Sequence, residues 1–331
     1  MSVLANWLEA LQTTNLPEGA RVDPVSKWLV LTRASVFPMT FFAAAIGGLL
    51  AVPSGNAELL PWLGATVGLL LAHACNNLMN DYFDMESGVD TPDYARALYA
   101  PHPVLSGWIT KDELRRAILV VNVLGVAVAL WLTWLRGWPA AAFAITGFLI
   151  SVFYVAPPLR LKHHGLGEPS VFVIWGPLMI GGTYFVTTGA LPNWVWWASL
   201  PYGLLVTTVL FGKHIDKLAL DSAKHIHTLP VILGDPLARH VNQVLMVGFF
   251  VSTAALVATG TFGLWTLAIA LALPRLVQTL RFYSRPKPET PPKGYRGWPL
   301  WYVGAAFLLT RQAGALFALG LLLDAIFPLR V

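Results

Sequence analysis

The chain has 331 residues, of which 56% are hydrophobic and only 12% are charged, and its mean hydropathy is +0.61. This composition excludes an ordinary soluble domain and is typical of an integral membrane protein in contact with the lipid bilayer. The net charge of +5 comes from basic residues spread over separate loops, so we predict no nucleic-acid partner. A single cysteine, Cys75, excludes an intramolecular disulfide.

Nine segments are apolar over about 18 or more residues, the length that a helix needs to cross a bilayer. We therefore predict an all-α polytopic membrane protein, a bundle of nine transmembrane helices forming a single domain over 1–331. Residues 1–30 contain no apolar core followed by a cleavage site, and we expect a cytoplasmic N-terminal segment there. The predicted spans are 34–52, 60–80, 114–135, 138–156, 169–188, 192–211, 241–260, 262–280 and 301–323.

Basic residues indicate the orientation, because short cytoplasmic loops of membrane proteins are enriched in lysine and arginine. With nine spans, 19 of the 22 basic residues fall on one side, Arg296 among them. Arg136 and Arg330 fall on the other side, and Arg311 lies within the ninth span. We predict a cytoplasmic N-terminus and an external C-terminus, in the cytoplasmic membrane of a prokaryote. All the long loops are then cytoplasmic, so an active site should open to the cytoplasm.

The end of the second span carries amides and carboxylates. Asn77, Asp81 and Asp84 are spaced i, i+4, i+7, and Asn80 and Asp84 repeat the i, i+4 step. At that spacing the oxygens share one helix face. Carboxylates in a membrane segment indicate a functional site, and Mg²⁺ binds through such oxygens together with substrate phosphates. The alternative is a solvated helix end that happens to be acidic.

A second charged set begins where the sixth span ends. Lys213, Asp216, Lys217, Asp221 and Lys224 follow one another at helical spacing. One interpretation is a ladder of ion pairs on an exposed helix. In the other, the two aspartates bind a second metal ion while the lysines hold phosphate as point charges.

A third polar segment follows the fourth span. Tyr154 precedes a Pro157-Pro158 pair that ends the helix. Arg160 and Lys162 come next, and both are suitable phosphate ligands, although anchoring of a cytoplasmic loop would also explain them.

Four ordered motifs together resemble the UbiA superfamily of intramembrane aromatic prenyltransferases. They are the acidic motif from Asn77 to Asp90, Pro-Val-Leu-Ser-Gly at 103–107, the Pro-Pro-Leu-Arg-Leu-Lys and Gly-Leu-Gly-Glu runs within 157–168, and Asp221 with the Thr-Leu-Pro at 228–230. The resemblance extends from about Arg33 to the C-terminus. The nearest branch prenylates 1,4-dihydroxy-2-naphthoate in menaquinone synthesis.

This resemblance implies an enzyme that transfers a polyprenyl group from its diphosphate to an aromatic acceptor, a naphthoate-type quinone precursor, with Mg²⁺ as cofactor. The catalytic residues would be Asp81, Asp84, Asp216 and Asp221. The metal ligands would be Asn77, Asn80, Asp81 and Asp84 for one ion, and Asp216 and Asp221 for a second. The substrate-binding residues would be Asn77, Arg33, Arg96, Tyr154, Arg160, Lys162, Lys213, Lys217 and Lys224.

Two departures keep other functions open. Lys217 stands where members of this superfamily are expected to have the first aspartate of their second acidic motif. His102 stands where an arginine is common in the superfamily. These changes are compatible with another acceptor, such as 4-hydroxybenzoate, homogentisate or a tetrapyrrole. They are also compatible with a non-catalytic isoprenoid-binding protein, while intramembrane carboxylates leave an ion transporter as a further alternative.

Overall fold

A computed structural model describes residues 3–17, 19–295 and 297–330. Arg296, one of the basic residues behind the predicted orientation, lies outside the described residues. Over the described ranges the chain forms helices and turns and contains no β-strand. The all-α prediction is therefore confirmed.

Two short helices precede the bundle, α1 (Val3–Thr13) and α2 (Pro24–Leu31). Asp23 caps α2, because its carboxylate accepts hydrogen bonds from the backbone N–H groups of Val25 and Ser26 at 3.1 and 3.0 Å. The same carboxylate accepts the indole N–H of Trp7 at 2.9 Å, which ties α1 to α2. The N-terminal segment is thereby packed onto the rest of the fold.

The remaining helices follow in chain order, and a π-helical stretch, Ile174–Gly181, joins α8 to α9 as one continuous rod. Short 3₁₀ turns lie at Ala34–Val36, Val52–Ser54 and Leu161–His163. The helices are α3 (Phe37–Ala51), α4 (Leu59–Glu86), α5 (Ala95–Tyr99), α6 (Lys111–Arg136), α7 (Trp138–Val155), α8 (Gly167–Val173), α9 (Gly182–Thr188), α10 (Trp194–Asp216), α11 (Leu218–Ala223), α12 (Leu229–Leu233), α13 (Asp235–Ala258), α14 (Leu273–Tyr283) and α15 (Tyr302–Ile326).

Within the described residues, eight helices are long and apolar enough to cross a membrane. The predicted span 262–280 is instead a 3₁₀ helix, Leu264–Ala272, followed directly by the short helix α14. This segment runs beside α15: the Leu264 N–H donates to Leu329 O at 2.7 Å, and the Tyr283 hydroxyl donates to Tyr302 O at 2.9 Å. Helix length does not confirm the count of nine, which stays a prediction.

The main core lies where α3, α10, α13 and α15 meet. Tyr202 of α10 is fully buried there, and its hydroxyl donates to Met39 O at 2.9 Å. By contrast, α6 buries only Leu114 and Leu132, and most of its apolar residues face outward, as expected of a lipid-facing helix. Helix α6 therefore lies on the outside of the bundle.

Candidate active site

The last two turns of α4 turn their polar side chains into the protein. Asn77, Asp81 and Asp84 are buried, and the Asn77 amide donates to Thr32 O at 2.9 Å. Gly88 then adopts a positive φ of 71°, a conformation that favours glycine. The backbone N–H of Asp90 donates back to Asp84 O at 3.0 Å. This turn places Asp90 beside the helix that carries the other carboxylates.

Two arginines neutralise Asp81. Arg96 on α5 binds both carboxylate oxygens, through Nε at 2.9 Å and Nη2 at 3.0 Å, and Arg33 also donates to the carboxylate. Burial disfavours the charged form of Arg33, but the negative charge of Asp81 outweighs it and holds the pKa of Arg33 above its ordinary value. The cluster thus contains two fixed guanidinium groups, the side chain best suited to phosphate.

Asp84 pairs with the loop after α7. The Lys162 ammonium lies 2.5 Å from Asp84 Oδ2, and the His163 Nε2 lies 4.0 Å from Oδ1. Burial, together with the positive charges of Lys162 and Arg160, lowers the pKa of His163 to about 4. Within the described residues, Asp84 Oδ1 has no hydrogen-bond donor.

Asp90 is a site residue that the sequence analysis did not select, although it ends the first motif. It is buried, and neither carboxylate oxygen has a hydrogen-bond donor within the described residues. His102 Nε2 lies 3.4 Å from Asp90 Oδ2. The sequence feature that could have indicated Asp90 is Gly88, because a glycine there allows the chain to turn back and bring a fourth polar residue to the same cluster.

The residues of this first cluster, Asp81, Asp84 and Asp90, fit a divalent cation. Within the described residues, three oxygens of these buried carboxylates lack a donor, one on Asp84 and two on Asp90, and Mg²⁺ uses oxygen sites of this kind. Ligand atoms of Asp81, Asp90 and His102 lie within 4.8 Å of one another. However, His102 Nδ1 accepts the N–H groups of Val104 and Leu105, each at 3.3 Å, so Nε2 carries the proton. A protonated Nε2 cannot coordinate a metal ion, so His102 does not fit the role of metal ligand.

The second cluster, Asp221, Lys217 and Tyr94, is built differently. Lys217 Nζ lies 3.1 Å from Asp221 Oδ1 and donates to the Tyr94 hydroxyl at 2.9 Å, and that hydroxyl donates to Asp221. Lys224 reaches the loop of the first motif, where it donates to Val89 O at 2.7 Å and to Thr91 Oγ1 at 3.0 Å. Lys224 therefore ties the two motifs together through backbone and hydroxyl oxygens.

Asp216 lies outside this second cluster. Its carboxylate accepts the backbone N–H groups of Trp301, Tyr302 and Val303 at 2.8, 2.8 and 3.0 Å. These are the unpaired donors at the start of α15, so Asp216 acts as a cap for that helix. The role of second-metal ligand and catalytic residue predicted for Asp216 does not fit these contacts, because both its oxygens are already used.

Three of the remaining predicted residues, Asn80, Tyr154 and Lys213, line a cavity of about 1490 Å³. Within the described residues, no hydrogen bond or ion pair is made by the Lys213 ammonium or the Arg160 guanidinium. Tyr154 is buried and also lines the cavity, whereas Arg160 lies outside it. Polar lining residues at the end where α4 ends include Arg33, Asn77, Asn80, Tyr99, Tyr154 and Lys213.

Beyond this polar end, the cavity is lined by apolar side chains of α3, α4, α6 and α7, such as Met39, Leu69, Val128 and Phe148. An apolar chamber with an arginine and a lysine at one end suits a molecule with a long hydrocarbon chain and an anionic head.

Comparison with known proteins gives a consistent result. Residues 40–301 match the model of the UbiA prenyltransferase family. The 1,4-dihydroxy-2-naphthoate octaprenyltransferase of Escherichia coli is 29% identical over 273 residues, which cover 80% of this chain and 87% of that protein. Over 87% of this chain and 98% of the other, the fold is similar to the apo structure of a UbiA homologue from Aeropyrum pernix, with a TM-score of 0.67 and 16% identity.

A second solved structure has the same fold. A UbiA homologue from Archaeoglobus fulgidus, bound to GPP and Mg²⁺, aligns with a TM-score of 0.54 and 15% identity over 88% of this chain and 99% of that one.

Proposed function

The chain belongs to the UbiA prenyltransferase family, and we propose that it transfers a polyprenyl group from polyprenyl diphosphate to a naphthoate-type acceptor in menaquinone-like biosynthesis. The orientation that supports this role has the end of α4 at the cytoplasmic face of a prokaryotic cytoplasmic membrane. The observation that carries the proposal is that Arg33, which lines the polar end of an apolar cavity of about 1490 Å³, is paired with Asp81 of the first cluster.

The cations around the first cluster would bind the diphosphate. Arg33, Arg96 and Lys162 are buried and already held in place by Asp81 and Asp84, so little reorganisation is needed when the substrate binds. Asp84 and Asp90, with the amide oxygens of Asn77 and Asn80, would hold Mg²⁺. The role of metal ligand predicted for Asp81 does not fit its contacts, because both its oxygens accept hydrogen bonds from arginine, and Asp81 would instead position Arg33 and Arg96. The bound ion supplies positive charge that stabilises the diphosphate as it leaves.

The reaction breaks the bond between the allylic carbon and the diphosphate oxygen, and the electron pair leaves with the diphosphate. A ring carbon of the acceptor forms the new carbon–carbon bond, and the ring then releases a proton. The allylic cation must be kept from water meanwhile. The apolar cavity provides this, and Tyr154 and Trp175 on its wall offer aromatic faces that stabilise a cation.

The acceptor would bind at the lysine that lines the cavity. The Lys213 ammonium has no counter-ion within the described residues and shares the cavity wall with Tyr99. Burial raises the pKa of Tyr99, but the positive charges of Lys213, Arg33 and Arg96 outweigh it and lower the pKa to about 8. A region with surplus positive charge favours an anionic acceptor, and the carboxylate of a hydroxynaphthoate meets that requirement.

Product analysis tests this proposal. Purified protein in detergent is incubated with geranylgeranyl diphosphate and one of three acceptors, 1,4-dihydroxy-2-naphthoate, 4-hydroxybenzoate or homogentisate, with and without Mg²⁺. We expect a prenylated product, detected by mass spectrometry, from the naphthoate and only with Mg²⁺. Product from a different acceptor alone would overturn the naphthoate assignment, and no product from folded protein would overturn the enzyme.

A further inference from the structure

The second cluster contains one carboxylate and one ammonium group, whereas the first cluster contains three carboxylates. We propose that the ammonium group of Lys217 takes the place of a second metal ion, so that the enzyme binds its diphosphate substrate with one divalent cation and one lysine. This inference rests on the proposed function, because it concerns how the same site holds the diphosphate.

The position of Lys217 supports this role. Its side chain is buried, and its ammonium contacts Asp221 Oδ1 at 3.1 Å and the Tyr94 hydroxyl at 2.9 Å. It also lies 4.9 Å from the centre of the Tyr94 ring, over the face of the ring. A group with this many partners is fixed in place, as a bound metal ion would be.

The charge balance of the second cluster leaves no need for a metal ion. Asp221 is its only carboxylate, because Asp216 is used at the start of α15. Lys217 already neutralises Asp221. Burial disfavours the charged form of both groups, but their mutual attraction outweighs it, so the pKa of Lys217 is raised and the pKa of Asp221 is lowered. One oxygen, Asp221 Oδ2, lacks a donor within the described residues. A divalent ion at that oxygen would be repelled by the adjacent ammonium.

The first cluster has a different balance. Asp81, Asp84 and Asp90 contribute three carboxylates, and within the described residues Asp90 forms no ion pair with a lysine or an arginine. The negative charge of Asp84 also raises the pKa of Lys217, so the two clusters interact electrostatically. A diphosphate bound there would meet a metal ion on the side of α4 and an ammonium on the side of α10.

Counting bound metal ions tests the inference without relying on turnover. Purified protein is saturated with a non-reactive analogue, geranylgeranyl thiolodiphosphate, and bound Mn²⁺ is counted by equilibrium dialysis with electron paramagnetic resonance. We expect one Mn²⁺ per wild-type chain. Asp84→Asn should lower the count toward zero, because Asp84 belongs to the first cluster.

A second substitution places a carboxylate at position 217, where the family motif has an aspartate. Lys217→Asp should raise the count to two Mn²⁺ per chain, whereas Lys111→Asp, the same change at a half-exposed lysine paired with Glu86, should leave it at one. If Lys217→Asp does not fold, Lys217→Met provides the second test, with one Mn²⁺ retained and weaker binding of the analogue by about tenfold or more.

Two ions in the wild-type chain, or a folded Lys217→Asp variant that still binds one, would overturn the inference. These outcomes are separate from failure of the proposed function. A chain that prenylates the naphthoate with two ions contradicts only the role of Lys217. A chain that binds one ion with the analogue but prenylates no acceptor contradicts only the reaction.

Discussion

The ends of α4 and α10 both present aspartates to the same end of the bundle, but the two helix ends use them differently. At the end of α4, Asp81 and Asp84 point inward and are joined by Asp90, and oxygens of Asp84 and Asp90 have no donor in the part of the chain that the structure describes. At the end of α10, Asp216 caps α15, and Asp221, five residues on, is neutralised by a lysine one turn before it. The role of an acidic residue is thus decided by which donors the fold brings to it.

The largest effect is expected at the first cluster. Asp84→Asn removes a negative charge beside Lys162 with little change in volume, and we expect the rate of prenyl transfer to fall by about 10²–10³-fold or more. Steady-state kinetics in detergent would measure it. Glu86→Gln is the control on the same helix, because Glu86 is half-exposed and should leave the rate within about twofold of wild type. Similar losses of rate in the two variants would contradict the assignment of Asp84 to the active site.

Lys213→Met tests the acceptor side of the site. Loss of one charge-assisted contact should raise the KM for 1,4-dihydroxy-2-naphthoate by about 10–100-fold. The KM for 1,4-dihydroxynaphthalene, which lacks the carboxylate, should change little. An equal rise for both acceptors would show that Lys213 does not recognise the carboxylate.

The pH dependence of acceptor binding gives a smaller effect. Because the pKa of Tyr99 is lowered to about 8, its phenol loses a proton at a pH where an ordinary tyrosine stays neutral. The phenolate would compete with the acceptor carboxylate for Lys213, so the KM should rise severalfold between pH 7 and pH 9. Tyr99→Phe should reduce that rise, and a profile unchanged by this substitution would contradict the assignment.

The smallest effect on turnover is expected at Asp216, the aspartate at the end of α10. Asp216→Asn weakens the cap of α15 and should lower the free energy of unfolding by about 1–3 kcal/mol, measured by thermal unfolding in detergent. Turnover per folded molecule should stay within about twofold of wild type. A loss of turnover without a loss of stability would return Asp216 to the catalytic residues.

Much of the fold was predictable because apolar length determines membrane helices. The predicted span 138–156 matches α7, Trp138–Val155, almost residue for residue. The predicted span 192–211 is shorter than α10, which continues to Asp216, because Lys213 and His214 end an apolar run without ending a helix. Hydropathy reports the apolar part of a helix and not its last turns.

The site was predictable only where its residues lie close together in sequence. Asn77, Asp81 and Asp84 share one helix face, and the structure brings them together with Lys162 from the loop after α7. The contact between Asp216 and the start of α15 spans 86 residues, and nothing near Asp216 in the sequence indicates it. Asp90 was missed because its place depends on the turn at Gly88 and not on helical spacing.

The most direct test is the initial rate of diphosphate release from geranylgeranyl diphosphate, compared among wild type, Asp84→Asn and Asp216→Asn. We predict release that needs both Mg²⁺ and 1,4-dihydroxy-2-naphthoate in wild type, comparable release per folded molecule in Asp216→Asn, and almost none in Asp84→Asn. Release that is equally weak in both variants, or that continues in Asp84→Asn, would contradict the central claim that the first cluster alone binds the metal ion and drives the reaction.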